Sequence, residues 1–262
     1  MLKRSSYLLI PLSLLGLLAF TWPLFIPESN FFLLQNENTK WLAAAILPIA
    51  ILLFIFEINH GGLDAKSVAL LGVFAALICG LRLLGAGAIG IEPIWFLLIL
   101  IGRVFGANFG FTLGVTSLFA SALITGGVGP WLAFQMLAAG WVAMFAGLIP
   151  KRITGKYELI IISVYAVVAT QLFGLLMNLQ LWPWLIGTDS QLSFVASDSV
   201  ADNLQRFLVF HLATSLSWDL PRAVFTVALI LLTGKPILIT LNRAKQRLEL
   251  VSNAPLKKQM AV

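Results

Sequence analysis

The residues of this chain that could do chemistry are polar side chains set inside or beside apolar stretches. Gly126-Gly127-Val128-Gly129-Pro130-Trp131 forms a tight, shaped turn between two such stretches. Gln135 follows Trp131 by four residues and shares its helical face. An aromatic ring beside an amide can hold a small molecule, or Trp131 serves only as an interfacial anchor. Gln171 and Asn178 lie seven apart on one face and either bind a ligand or bridge helices. Trp218-Asp219-Leu220-Pro221-Arg222 places an acid and a guanidinium at i, i+3, where they can pair. That pair is either buried, needing further hydrogen bonds, or an exposed rim pair of small value. Arg82 closes another apolar stretch; it snorkels to lipid headgroups, or pairs with Glu92 or with an acidic substrate. Arg103, near the opposite face, suits a structural or phosphate-contacting role. Polar groups in lipid are costly to bury, so they are functional suspects. The substrate-binding set is therefore Arg82, Glu92, Trp131, Gln135, Gln171, Asn178, Asp219 and Arg222.

These residues bind rather than catalyse. The chain has no Gly-x-Ser-x-Gly, no His-Glu-x-x-His, no paired intramembrane aspartates and no Walker loop, so it cannot drive itself with ATP. One cysteine, Cys79, excludes an intramolecular disulfide and a cysteine-built metal site. Two histidines, His60 and His211, are too few for a histidine metal cluster. The expectation is a protein that is not an enzyme and holds neither resident cofactor nor metal.

The elements that must position these groups are membrane spans. The 262 residues are 60% hydrophobic and 11% charged, with mean hydropathy +0.96. Soluble domains carry about 25% charged residues, so most of this chain cannot face water. Spans are predicted near residues 7–26, 41–58, 66–85, 94–105, 107–125, 132–149, 157–181 and 206–235. The first resembles a signal peptide, but Trp22, Pro23 and Pro27 replace a cleavage pattern, and it reads as a retained span. The last is too long for one crossing, and Pro221 is expected to break it. With both termini placed in the cytoplasm, only Lys40, Arg82, Arg206 and Arg222 of the 17 basic residues fall outside. The net charge of +6 thus reports topology rather than nucleic-acid binding. Ile237 to Leu250 alternates apolar and basic residues, as an interfacial helix on anionic lipid would. Residues 182–205 form the longest external loop, either a lid or disordered.

Two small-residue patterns show where helices touch. Gly102, Gly106, Gly110 and Gly114 repeat every four residues, which lets another backbone approach closely. Ala65-x-x-x-Ala69, then Gly72-x-x-x-Ala76-x-x-x-Gly80, gives a second smooth face. It packs internally or serves a separate partner helix.

Ala65 to Arg82 (AKSVALLGVFAALICGLR), Gly102 to Ser121 (GRVFGANFGFTLGVTSLFAS), Gly126 to Gln135 (GGVGPWLAFQ) and Ser215 to Ala223 (SLSWDLPRA) resemble the substrate-binding S component of energy-coupling-factor transporters. The resemblance spans roughly residues 60–245 and is greatest to the cobalamin-type branch. It implies an all-α polytopic membrane bundle, with a six-helix core that binds a vitamin, cobalamin or a related cofactor, at the outer face. It implies docking through an Ala-x-x-x-Ala helix onto a transmembrane T subunit driven by two cytoplasmic ATPases. Ala65 and Ala69 match the docking motif, and Gly72 and Ala76 extend its face. Trp131 and Gln135 stand where binding residues from an outer loop and helix are expected. Two N-terminal segments, within residues 1–58, exceed the family pattern; the core is expected at 59–236 and a cytoplasmic tail at 237–262. The alternatives are a membrane scaffold without substrate, or a stand-alone secondary transporter, which needs a coupling acid at mid-membrane.

Overall fold

The computed structural model describes residues 9–21, 24–25, 48, 51, 65–85, 90–185, 192–195 and 198–252. The span expected at 41–58 lies outside the described residues, apart from Pro48 and Ile51. Among the described residues the chain is all-helical. The helices are α1 (Leu9–Thr21), α2 (Ala65–Leu84), α3 (Ile94–Phe105), α4 (Ala107–Thr125), α5 (Leu132–Leu148), α6 (Lys156–Leu185) and α7 (Val200–Ser252). Four of them, α2, α4, α6 and α7, are long and apolar enough to cross a membrane. The chain is a helical membrane bundle, with Val68, Val73 and Leu77 of α2 and Val164, Val168 and Leu172 of α6 among its exposed apolar side chains.

The core is built around the shortest of the central helices. Every residue of α3 except Leu97 and Phe105 is buried. It touches α2, α4, α5, α6 and α7. At 1.5 Å per residue its 12 residues reach only about 18 Å, against the roughly 30 Å of a bilayer's hydrocarbon core. One end of the bundle axis is therefore left without a central helix.

The other end is closed by glycine. The ladder is not one continuous helical face, because the chain breaks at Gly106, where φ is +96°. That left-handed region suits glycine alone, and it ends α3 and starts α4 without an intervening loop. Gly102 of α3 and Gly110 of α4 then both lie against the Ala143 carbonyl of α5. Gly114 meets the Ala139 carbonyl, and Gly147 of α5 lies against the Gly106–Ala107 peptide. A side chain at any of these four would collide with backbone, which cannot yield. Beside this elbow Arg103 donates to the Ile149 and Ile153 carbonyls at 3.0 and 2.9 Å and pairs with Glu158 at 2.9 Å. Its role is structural. Lys151 and Lys245 donate to the Arg103 and Val104 carbonyls at the C-terminus of α3. Burial of the Lys151 amine, then the Arg103 and Lys245 charges, pushes its pKa down to about 8.

The expected break at Pro221 does not occur: α7 runs through Pro221 and Pro236 for 53 residues. It also continues without interruption into the segment expected to form a separate interfacial helix. A proline removes one backbone hydrogen bond, a loss that membrane helices tolerate when neighbouring groups hold both sides of the kink. Here Asp219 and Arg222 are both anchored by ion pairs. The turn before α3 also packs directly on the proline: Gly90, φ +67°, lies against Pro221, the Trp218 carbonyl and the Arg222 amide. The expected loop at 182–205 is shorter than predicted, since α6 extends to Leu185 and α7 starts at Val200. Trp182 is buried at the end of α6, against Phe194 and Phe207, and donates to the Leu192 carbonyl at 2.7 Å.

Substituting Gly114 with leucine is expected to destabilise the bundle by about 1–3 kcal/mol or more, the range for overpacking a tight contact. Gly72→Leu, whose side chain would start more than 4 Å from any described residue beyond its own stretch of helix, should leave stability unchanged. Thermal unfolding of the two purified variants in the same detergent makes the comparison, and equal midpoints would remove the backbone contact from the account.

Candidate functional site

At the end of the bundle that α3 does not fill, two polar clusters face each other. The first is built on α2. Arg82, in its last turn, donates Nη1 to Ser121 Oγ of α4 at 2.7 Å and Nη2 to Gln135 Oε1 of α5 at 3.3 Å. One guanidinium thus ties three helices. Arg82 does not pair with Glu92, and among the described residues no carboxylate lies within ion-pairing distance of it.

The second cluster is built on the turn before α3 and on α7. Glu92 accepts from Arg222 twice, Nε at 3.1 Å and Nη2 at 3.0 Å, a bidentate pairing. It also accepts from the indole N–H of Trp95 at 2.5 Å. The remaining Nη1 of Arg222 is paired with Asp219. Asp219 is 2% exposed and Arg222 7%, so the expected i, i+3 pair forms in its buried version. Glu92 supplies the further hydrogen bonds that such a pair requires. The Arg222 guanidinium also lies 5.3 Å from the Phe173 ring centroid, and Phe173 packs on Trp95 at 4.2 Å. Gly174 follows Phe173, and its missing side chain leaves room for the Asp219 carboxylate against α6. The Asp219 Oδ2 atom is buried with no hydrogen-bond partner among the described residues.

Between the clusters lies a cavity of about 460 Å³, within the range of small-molecule sites. Of the eight expected site residues, Arg82, Glu92, Gln135 and Arg222 line it, and Asp219 stands behind Arg222. Trp95, Phe173, Met177 and Trp218 supply much of its apolar wall. The other three expected residues lie elsewhere. Trp131 closes its own turn, donating to the Gly127 carbonyl at 3.2 Å with its ring against Gly129. Asn178 ties α6 to α7 through His211 Nδ1, Thr214 Oγ1 and Ser215 Oγ, at 3.2, 3.2 and 2.7 Å. Gln171 is half-buried on α6, outside the cavity lining. A second, wider groove of about 560 Å³ lies between α1 and α5–α6. Its lining is almost wholly hydrocarbon, with little to orient a ligand.

Sequence reading followed the polar residues and so missed Ser121 and the aromatic wall of Trp95, Phe173 and Trp218. One signal was present: Trp95 follows Glu92 by three residues, the spacing at which an indole can reach back to a carboxylate. Nothing in the sequence distinguishes Phe173 from the chain's other phenylalanines.

Fold and cavity together define a class: a helical membrane bundle with a small-molecule-sized, polar-and-aromatic cavity at one end. No family model, characterised protein or solved structure matches the chain, and the class is the statement the geometry carries.

Arg222→Met would leave Glu92 and Asp219 facing each other's charge without a cation. Breaking one partner of a buried network typically costs about 3–5 kcal/mol. The variant should unfold well below the parent, and adding Glu92→Gln and Asp219→Asn to it should recover much of the loss. Thermal unfolding of the single and triple variants checks this; a single variant as stable as the parent would show that the network does not hold the fold.

Proposed function

We propose that the chain is a substrate-binding S component of an energy-coupling-factor importer in the cell membrane. It captures a vitamin or related cofactor in the cavity between Arg82 and Arg222, at the outer face. It then passes the cargo on by docking to a transmembrane T subunit driven by two separate ATPases.

The cavity is the observation that carries this reading. A scaffold without substrate has no use for an unfilled space lined by two arginines, a glutamate, an amide and three aromatic rings. Among the described residues six helices, α2 to α7, follow the N-terminal region, the number that the resemblance implies for the core. The clustering of Arg103, Lys151 and Lys245 at the far end supports the orientation in which the cavity faces outward and both termini lie in the cytoplasm. Ala65, Ala69, Gly72 and Ala76 are all exposed on α2, and among the described residues nothing lies within 4 Å of where a Gly72 side chain would start. Among the described residues no helix covers that smooth face, which supports its use by a partner helix. A volume of about 460 Å³ favours a cofactor smaller than a full corrinoid, whose macrocycle and side groups would overfill it.

The test is a calorimetric titration of the full-length chain in lipid nanodiscs against a vitamin panel that includes cobalamin. One small member should bind, and Thr125→Trp, at the exposed rim of the cavity, should abolish that binding while the protein stays folded. No heat from any member would overturn the reading. Ala69→Trp should keep substrate binding and lose co-purification with a T subunit; retained co-purification would place the docking face elsewhere.

A further inference from the structure

We infer that the cavity takes a small amphipathic carboxylate, its acid group seated on Arg82 and Gln135 and its apolar or ring body against Trp95, Phe173 and Trp218. This rests on the reading of the cavity as a substrate site and names the substrate's chemistry.

The argument is an inventory of donors and acceptors. Both oxygens of Glu92 are engaged, by Arg222 and by Trp95. Each nitrogen of Arg222 is engaged by Glu92 or Asp219, which leaves one hydrogen on each Nη. Gln135 Oε1 is taken by Arg82. Arg82 carries five N–H donors. Two go to Ser121 and Gln135, and among the described residues the Nε–H and one hydrogen on each Nη have no partner. The Gln135 amide N–H₂ likewise donates to nothing described. Arg82, unlike Arg222, has a free Nε–H and no paired carboxylate among the described residues, so the unspent capacity at its wall is donor capacity and a ligand that satisfies it must bring acceptors.

Charge points the same way. Arg222 is matched by two carboxylates, Glu92 and Asp219, so the positive side of the cavity is Arg82, which among the described residues has no carboxylate within ion-pairing distance. The N-terminus of α3 opens at the cavity floor beside Ile94, with no side-chain cap on its first amides, and adds positive potential. A planar carboxylate matches the fork of a guanidinium. The remaining wall, Ile94, Leu118, Met177 and the three aromatic rings, is apolar. A multiply charged phosphate ester would bring more negative charge than the lining offers and would leave that apolar wall without a counterpart.

The experiment uses the full-length chain in lipid nanodiscs and matched pairs that differ only at the acid: nicotinate and nicotinamide, biotin and its amide, lipoate and lipoamide, pantothenate and panthenol. Binding is read by tryptophan fluorescence. Small molecules released on denaturing freshly purified protein are identified in parallel by mass spectrometry. The expected result is an acid bound at least about tenfold more tightly than its neutral partner, the scale of a charge-assisted pair. Arg82→Gln should erase that preference. Should Arg82→Gln fail to fold, Arg82→Lys keeps the charge without the fork, and the preference should fall rather than vanish. A neutral member bound as tightly as its acid, or a neutral or cationic compound released from the parent protein, overturns the carboxylate assignment and leaves the cavity reading standing. If no pair binds and nothing is released, the cavity reading falls and the inference falls with it.

Discussion

The arrangement depends on one buried guanidinium. Arg222 is shared by two carboxylates from different parts of the chain, Glu92 before α3 and Asp219 one turn earlier on α7. In an apolar bundle a charge must be matched, and each group here restricts the others. Matching fixes the height at which α7 crosses α3. It holds α7 straight enough to continue past Pro221, and it requires glycine at two positions. Gly90 lets the turn lie flat on the proline, and Gly174 makes space for the Asp219 carboxylate. Trp95 and Phe173 are then carried into place, one by its bond to Glu92, the other by the guanidinium on its face. The aromatic wall follows from the ion network rather than from a separate packing decision.

The opposite end is governed by the reverse requirement, absence of side chains. At the Gly106 elbow, α3, α4 and α5 meet backbone to backbone, and no hydrophobic gain distinguishes one helix partner from another in lipid. Close approach substitutes for it. Lys151 and Lys245 satisfy the Arg103 and Val104 carbonyls that this sharp reversal leaves exposed, while Arg103 binds the Ile149 and Ile153 carbonyls of the α5–α6 connection, which is why a conspicuous basic cluster serves as a cap. The two ends therefore divide the work: glycine contacts lock the bundle at one end, and side-chain bonds prop its walls apart at the other.

Much of this was legible in the sequence, and the part that was not has a physical cause. Helix positions from α2 to α6 follow hydrophobic runs interrupted by glycine, proline and charge, and such runs are local. The Asp219–Arg222 pair is local too, at i, i+3. Pairing with Glu92 was one of three expectations for Arg82, beside snorkelling and pairing with an acidic substrate; the structure gives Glu92 to Arg222, 130 residues away, and no spacing rule reports that. Asn178 and Trp131 have the composition of site residues but are spent on holding α6 to α7 and on closing a turn. Pro221 was misjudged because a proline's effect depends on what lies against it, and Gly90 comes from a distant segment. The ladder was read as a face; it is two faces joined at a hinge, because a four-residue spacing does not record the φ of its second member.

Why a cavity exists at all follows from helix length. The bundle's axis is occupied by α3, and α3 is about 18 Å long because Gly106 ends it on one side and Pro93 and the Gly90 turn start it on the other. The surrounding α2, α4, α6 and α7 are each long enough to cross the membrane, so they continue past its N-terminus and enclose space that no central helix fills. Apolar side chains would ordinarily collapse into such a gap. Here the walls are held by bonds that run around the rim, Arg82 to Ser121 and Gln135 on one side, Glu92 to Arg222 and Trp95 on the other. Closing the gap would break charge-assisted bonds in a poorly solvated place, where each is worth more than at a wet surface. A short axial helix makes the space and a polar rim keeps it open, and the stretch from Gly90 to Gly106 serves both, supplying α3 itself and the rim residues Glu92 and Trp95.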